Sequence, residues 1–264
     1  DNGADGIVMA MVSEVLRLSD VERRELAERA CRRADGRGTI VISVGAESSR
    51  LSEEFARHAE SIGATAVMAI PPISVALVDC ELRRYYARIL SAISIPVIVQ
   101  DASGYVGRPM SIDMQAGLFR EFGDRVMYKP EANPIGPRLT ALHEATGGEA
   151  TVFEGTGGIA LVESFARGIA GTMPGADLIR VLVAVWRALN AGDFDTVNRL
   201  HPPLCSMISL QTSLDAFLAI EKYLLVKQGI FKNTVTRGPV GYRMDAATQA
   251  EVDRLYDLLS ASLP

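Results

Sequence analysis

Residues 95–132 read IPVIVQDASGYVGRPMSIDMQAGLFREFGDRVMYKPEA. Pro96–Gln100 (PVIVQ) and Val126–Lys129 are short, almost unbroken apolar runs, and SIDMQAGLFREFG between them carries one polar and one apolar face. Apolar strands joined by a helix imply a parallel pair buried on both sides. The same unit recurs in both directions. Further strands are expected at Gly6–Met11, Thr39–Val44, Ala64–Ile70, Ala150–Glu154 and Gly168–Met173. Helices fall between them: SDVERRELAERACRRA, capped by Ser19 or Asp20; SEEFARHAESIG, capped by Ser52 and closed by Gly63; and DCELRRYYARILSAIS.

Seven such units can be counted, and a (β/α)8 barrel needs eight. Because the chain opens on a strand, the expectation is an α/β protein of the TIM-barrel class whose first strand and helix precede residue 1. The rival is an open doubly wound sheet, but no GxGxxG follows an early strand. Past Ala176 the pattern turns helical: LIRVLVAVWRALNAGD, PLCSMISLQTSLDAFLAIEKYLLVKQG and AATQAEVDRLYDLLSASL. The expected division is a barrel over 1–190 and a C-terminal helical extension over 191–264, packed on the barrel.

With 264 residues, 48% of them hydrophobic and 22% charged, the chain can bury a large core. A net charge of −5 with scattered basic residues argues against nucleic acid. No apolar run approaches the roughly 20 residues of a membrane span. Cys31, Cys80 and Cys205 are odd in number and far apart, with no CxxC or Cys/His ligand spacing. Disulfide and zinc frameworks are therefore not expected, and a reducing, cytoplasmic compartment is.

In a barrel the chemistry sits at the C-terminal ends of the strands. Those positions are Ser13–Glu14, Gly45–Glu47, Pro71–Pro72, Gln100–Asp101, Lys129, Glu154–Gly158 and Met173–Gly175. No histidine is among them: His58 and His143 fall on helices and His201 in the extension. That speaks against a histidine-held metal and against Ser-His-Asp hydrolysis. Lys129 stands out, because only four of the 27 basic residues are lysines and the other three lie in the C-terminal helical region. A lysine short of water can present a free amine and attack a ketone, which arginine cannot do. The alternative is a strand-end lysine that snorkels outward or pairs with Glu131. FEGTGGIALVESF (153–165) could cradle phosphate, or its glycines could serve only tight turns.

GADGIV…SEVLRLSDVER, IPVIV, KPEA and GIAGTM, in this order around Lys129, resemble the dihydrodipicolinate synthase/N-acetylneuraminate lyase family over essentially the whole chain. The resemblance implies a barrel with a C-terminal helical extension, assembled as a homotetramer from a pair of dimers. It implies a covalent imine between Lys129 and the keto group of pyruvate or another 2-keto acid, with no metal and no organic cofactor. AMVSE replaces the family's glycine-threonine-threonine-glycine-glutamate loop, and QDASGYVG replaces the motif of the proton-relay tyrosine. Gln100 takes the place of that tyrosine and Tyr105 that of a substrate-holding arginine, while Pro72 and Ile73 replace paired tyrosines.

AMVSE, MAIPP and YARILSAISIPVIVQDA are similar to the L-2-keto-3-deoxyarabonate dehydratase branch. By this resemblance the catalytic set is Lys129, Gln100 and Asp101, and the substrate-binding set is Val12, Ser13, Glu154 and Met173. Proton transfer falls to Asp101, Glu154, Ser13 or water. The expected activity is dehydration of a 2-keto-3-deoxy sugar acid to 2,5-dioxopentanoate. Alternatives are a synthase-like or aldolase reaction using pyruvate, or a non-catalytic keto-acid binding protein.

Overall fold

The computed structural model describes residues 2–104 and 107–263. The chain divides into two compact units, one of residues 5–154 and 167–170, the other of residues 2–4, 155–166 and 171–263.

The first unit alternates strand and helix throughout: β1 (Gly6–Met9), α1 (Asp20–Ala34), β2 (Thr39–Ser43), α2 (Ser49–Ser61), β3 (Ala66–Ala69) and α3 (Asp79–Ala92). It continues with β4 (Val97–Asp101), α4 (Ile112–Phe122), β5 (Val126–Pro130), α5 (Ile135–Ala145) and the short β6 (Phe153–Glu154). The sheet runs β1-β2-β3-β4-β5, every pair parallel. A parallel bridge from Tyr128 to Val152 carries the pairing on toward β6. All residues of β3 and β4 are buried, as strands covered on both faces require. The helices are tied to the sheet by polar contacts as well as apolar ones. The Tyr86 hydroxyl donates to the Ala69 carbonyl (3.0 Å) and that of Tyr128 to Gln115 (2.7 Å), so neither phenol is buried unpaired.

The helix starts show where local reading succeeds. Ser19 and Glu22 form a reciprocal capping box on α1, and Ser111 caps α4. The cap expected at Ser52 is instead Ser48, whose side chain accepts from the Leu51 amide. Ser52 lies a turn inside α2, fully buried, 2.5 Å from the Tyr85 hydroxyl. Two serines four residues apart offer the same local signal, and the nonlocal Tyr85 contact decides between them.

The second unit holds α6 (Leu161–Phe165), β7 (Gly171–Thr172), α7 (Ile179–Ala191), α8 (Phe194–Ser209), α9 (Leu214–Lys227) and α10 (Ala246–Ser262). The strand expected from Gly168 shrinks to two residues, and Gly168 has φ +80°, outside any strand conformation. The long helical stretch expected from Pro203 is two helices. The first starts earlier, capped by Asp193, and runs through Pro202 and Pro203; Ser213 then caps the second. Burial of Val197, Leu200, Leu204 and Met207 along one face offsets the backbone hydrogen bonds the prolines remove. Among the described residues no helix is long and apolar enough to cross a membrane.

Just before α7, Asp177 is buried and its Oδ2 has no hydrogen-bond partner among the described residues. Burial, and secondarily the charge of Glu221 on α9, raise its pKa to about 7 from 3.8. Between these values the unfolded chain has released the proton that the folded chain retains. Stability from this group is therefore complete below the unfolded value and falls as pH rises to about 7, by at most a few kcal/mol. Asp177→Asn, neutral at every pH, should resist urea better than the parent at pH 8, with the gap closing toward pH 4. A gap that stays the same at both pH values would contradict the assignment.

Candidate active site

All the polar side chains that β4 and β5 bring together belong to the first compact unit. Parallel register sets Gln100 beside Lys129 and Asp101 beside Pro130. Since side chains alternate along a strand, Gln100 and Lys129 share one face while Asp101 points to the other. Glu131, two residues beyond Lys129 in extended chain, returns to the lysine's side.

Lys129, Glu131 and Gln100 are buried, at 6%, 3% and 1% exposure. The Lys129 ammonium is ion-paired to Glu131 Oε1. The Gln100 side-chain amide donates to both oxygens of the same carboxylate, at 3.2 and 3.1 Å. Among the described residues Gln100 Oε1 has no hydrogen-bond partner, and it is buried. Burial pushes the Glu131 carboxyl above its ordinary range, with Glu154's charge adding to the rise, while Lys129 and Gln100 pull it down. The cluster is thus a buried lysine in contact with a carboxylate whose proton affinity is raised, two groups placed to exchange a proton.

The backbone around Glu131 is held closely. Its amide donates to the Asp101 carbonyl (2.9 Å). A Cβ at Gly104 would lie 2.7 Å from the Glu131 carbonyl oxygen, so the loop after β4 needs glycine there.

Asp101 is equally buried but otherwise engaged. Its Oδ1 accepts from the Ser103 hydroxyl (2.6 Å), and its Oδ2 from the Met110 amide (3.0 Å) and Arg138 Nη2 (3.3 Å). This geometry ties Ser103, Met110 and Arg138 to the end of β4. The Ser13 hydroxyl donates to the Ala10 carbonyl (2.6 Å) and accepts from the Val15 amide (3.1 Å), and the Ser13 amide donates to Met11 (2.8 Å). Val12 packs against the cluster of Met11, Val15, Ile70 and Ala102. Glu154 ends β6, buried, near enough for its charge to act on Glu131. Met173 follows β7 in the other compact unit and is half-buried. Tyr105 lies outside the described residues. His58, His143 and His201 lie on α2, α5 and α8.

Sequence reading treated Glu131 only as a lysine partner. The signal was present in its i+2 spacing from Lys129, which puts both on one side of an extended segment.

A model of the dihydrodipicolinate synthetase family matches residues 1–257. The L-2-keto-3-deoxyarabonate dehydratase of Azospirillum brasilense is 30% identical over 196 residues, 71% of this chain. The match spans 63% of that relative, less than two thirds of its length. An Escherichia coli K12 protein named "Probable 2-dehydro-3-deoxy-D-pentonate aldolase" is 24% identical over 265 residues, covering 99% of this chain and 87% of its own. Among solved structures, a prophage protein of the dihydrodipicolinic acid synthase family from E. coli K12, in complex with pyruvate, matches with a TM-score of 0.87 at 21% identity. That match covers 98% of this chain and 88% of the other. The likeness shows the fold, a TIM barrel with a C-terminal helical extension.

Proposed function

The chain belongs to the dihydrodipicolinate synthetase family, and from that premise we propose that it is a Schiff-base lyase dehydrating L-2-keto-3-deoxyarabonate to 2,5-dioxopentanoate. The observation that carries the reading is the buried Lys129–Glu131 pair bridged by Gln100.

In this mechanism Glu131 takes the ammonium proton and frees the Lys129 amine to add to the C2 ketone. Water leaves and an iminium forms, which acidifies C3. A carboxylate removes the C3 proton to give an enamine. The enamine expels the C4 hydroxyl as water, with the proton supplied by Glu131 or by Glu154. Loss of the C5 and hydroxyl protons, with reprotonation at C3 and C4, converts the remaining C5 alcohol to the aldehyde. Hydrolysis of the imine then releases 2,5-dioxopentanoate, and the balance is one water lost. The electron sink is the iminium itself, so the proposed route uses neither metal nor organic cofactor.

Gln100 orients Glu131 and offers its Oε1 to a substrate hydroxyl. Asp101 anchors Ser103, Met110 and Arg138 beside the site. The turn at Val12–Ser13 would take the substrate carboxylate once the Ser13 amide leaves the Met11 carbonyl. The same reading has residues 1–190 as the barrel, 191–264 as the extension, and the molecule as a cytoplasmic homotetramer of paired dimers.

Aldol cleavage is the second reading, favoured by the similarity to the aldolase relative over 99% of the chain. Cleavage between C3 and C4 needs a base on the C4 hydroxyl, whereas dehydration needs an acid there; a carboxyl with raised proton affinity suits the acid role. Incubation with L-2-keto-3-deoxyarabonate should yield the dioxo acid, read by a coupled aldehyde dehydrogenase. Pyruvate and glycolaldehyde as the products would make the enzyme an aldolase.

A further inference from the structure

In the first compact unit, residues 71–77 join the end of β3 to α3 without secondary structure of their own. This loop starts beside the candidate site. Ala69 pairs with Val99, so Ile70 stands level with Gln100 and, one strand further on, with Lys129. Pro71 is the next residue toward the mouth. Among the described residues, the hydrogen bonds of residues 71–77 all end on one side chain, that of Glu47 in the loop after β2. Its Oε1 accepts from the Ile73 amide (2.9 Å), and its Oε2 from the Ser74 amide (3.1 Å) and the Ser74 hydroxyl. Partial burial by itself would raise the Glu47 pKa. The three donors outweigh it and hold the carboxyl below its ordinary range, so it is ionised at neutral pH.

The segment that carries Glu47 is itself fixed. The hydroxyl of Tyr85 on α3, a residue 2% exposed, accepts from the Ala46 amide (3.0 Å), and Arg23 Nη2 donates to the Gly45 carbonyl (3.1 Å). A Cβ at Gly45 would lie 2.8 Å from the Ile70 carbonyl oxygen, so the ends of β2 and β3 approach closely. Past Pro72, which is buried, the apolar side chains of the loop add little hold: Ile73 and Val75 are 39% and 56% exposed. A charged acceptor on an anchored neighbour is thus the polar tether of this loop. We propose that Glu47 is a positioning residue for the imine chemistry assigned to Lys129, holding the loop after β3 in the conformation that packs against the substrate beyond C3. The proposal rests on that assignment. A substrate joined to Lys129 through C2 sends its further carbons toward the mouth, which this loop borders.

Glu47→Gln keeps the size of the side chain but loses its charge, and its amide nitrogen cannot accept a hydrogen bond. Hydrogen exchange at the Ile73 and Ser74 amides of the intact protein should quicken by about tenfold or more. The rate of borohydride trapping on Lys129 is followed against the concentration of pyruvate, with three carbons, and of 2-oxopentanoate, with five. In the variant the half-saturating concentration should rise about tenfold for the five-carbon acid and less than about twofold for pyruvate. Ser74→Ala, which removes one of the three donors, should raise it about threefold for 2-oxopentanoate. A smaller folded fraction would cut the amount trapped without changing the ratio of the two concentrations, so the ratio reads positioning. An unchanged ratio in Glu47→Gln, or unchanged exchange at the two amides, would overturn the proposal. Failure of both acids to label Lys129 in the parent protein would instead remove the imine reading, and this proposal with it.

Discussion

Lys129→Arg should bring turnover of any 2-keto acid substrate down to background, a fall of at least about 10⁴-fold, since the covalent route is lost. Arginine is the informative replacement. It keeps a cation against Glu131, so the ion pair survives and the protein should fold. Alanine would leave that buried carboxylate alone, at a cost of about 3–5 kcal/mol, and confuse instability with lost chemistry. Reduction with borohydride in the presence of pyruvate should attach one adduct to the parent protein, on Lys129, and none to the arginine variant. The competing lysines make this a real test. Lys222 is also buried, but its ammonium donates to the Val235 carbonyl (2.6 Å), and Lys227 pairs with Asp253 and Asp257. An adduct mapped by mass spectrometry to Lys222, Lys227 or Lys232 would remove Lys129 from the mechanism.

Glu131→Gln should lower kcat by about 10²–10⁴-fold, the usual worth of a positioned acid or base, while pyruvate is still trapped on Lys129. The two readouts separate the proton carrier from the nucleophile. In the free enzyme Glu131 must be ionised to take the lysine proton, so kcat/KM should climb with pH through its pKa. Burial raises that value, so the rise should fall above the ordinary carboxylate range and be absent in the glutamine protein. Turnover within about threefold of the parent would assign the proton transfers elsewhere, with Glu154 the next candidate. Asp101→Asn offers the contrast. Its carboxylate holds Ser103, Met110 and Arg138, so its loss should loosen the loop and raise KM more than it lowers kcat.

Much of the fold could be read from local pattern. Apolar runs of the right length, helices between them and the lysine behind Val126–Tyr128 predicted a parallel α/β barrel with its chemistry at strand ends. Periods of 2 and 3.6 are properties of neighbouring residues, so they survive without tertiary information. The likeness to solved family members bears out that architecture. Reading was weakest where local signals were equal: Ser48 and Ser52 both suit a helix start, and Pro203 mimics one.

The site divides along the same line. Lys129 was legible because it alone among the lysines ends a strand, and arginine cannot do its proposed work. Gln100 and Asp101 were read as one catalytic pair, yet alternation turns them to opposite faces, and only register decides which of them meets the lysine. Glu131 gained its importance from burial and from two hydrogen bonds that cross from β4, thirty-one residues away in sequence. The sequence by itself determined the order of strands and helices and which polar residues stand at the strand ends. Tertiary structure alone decided their partners and proton affinities, because register and desolvation depend on groups distant along the chain.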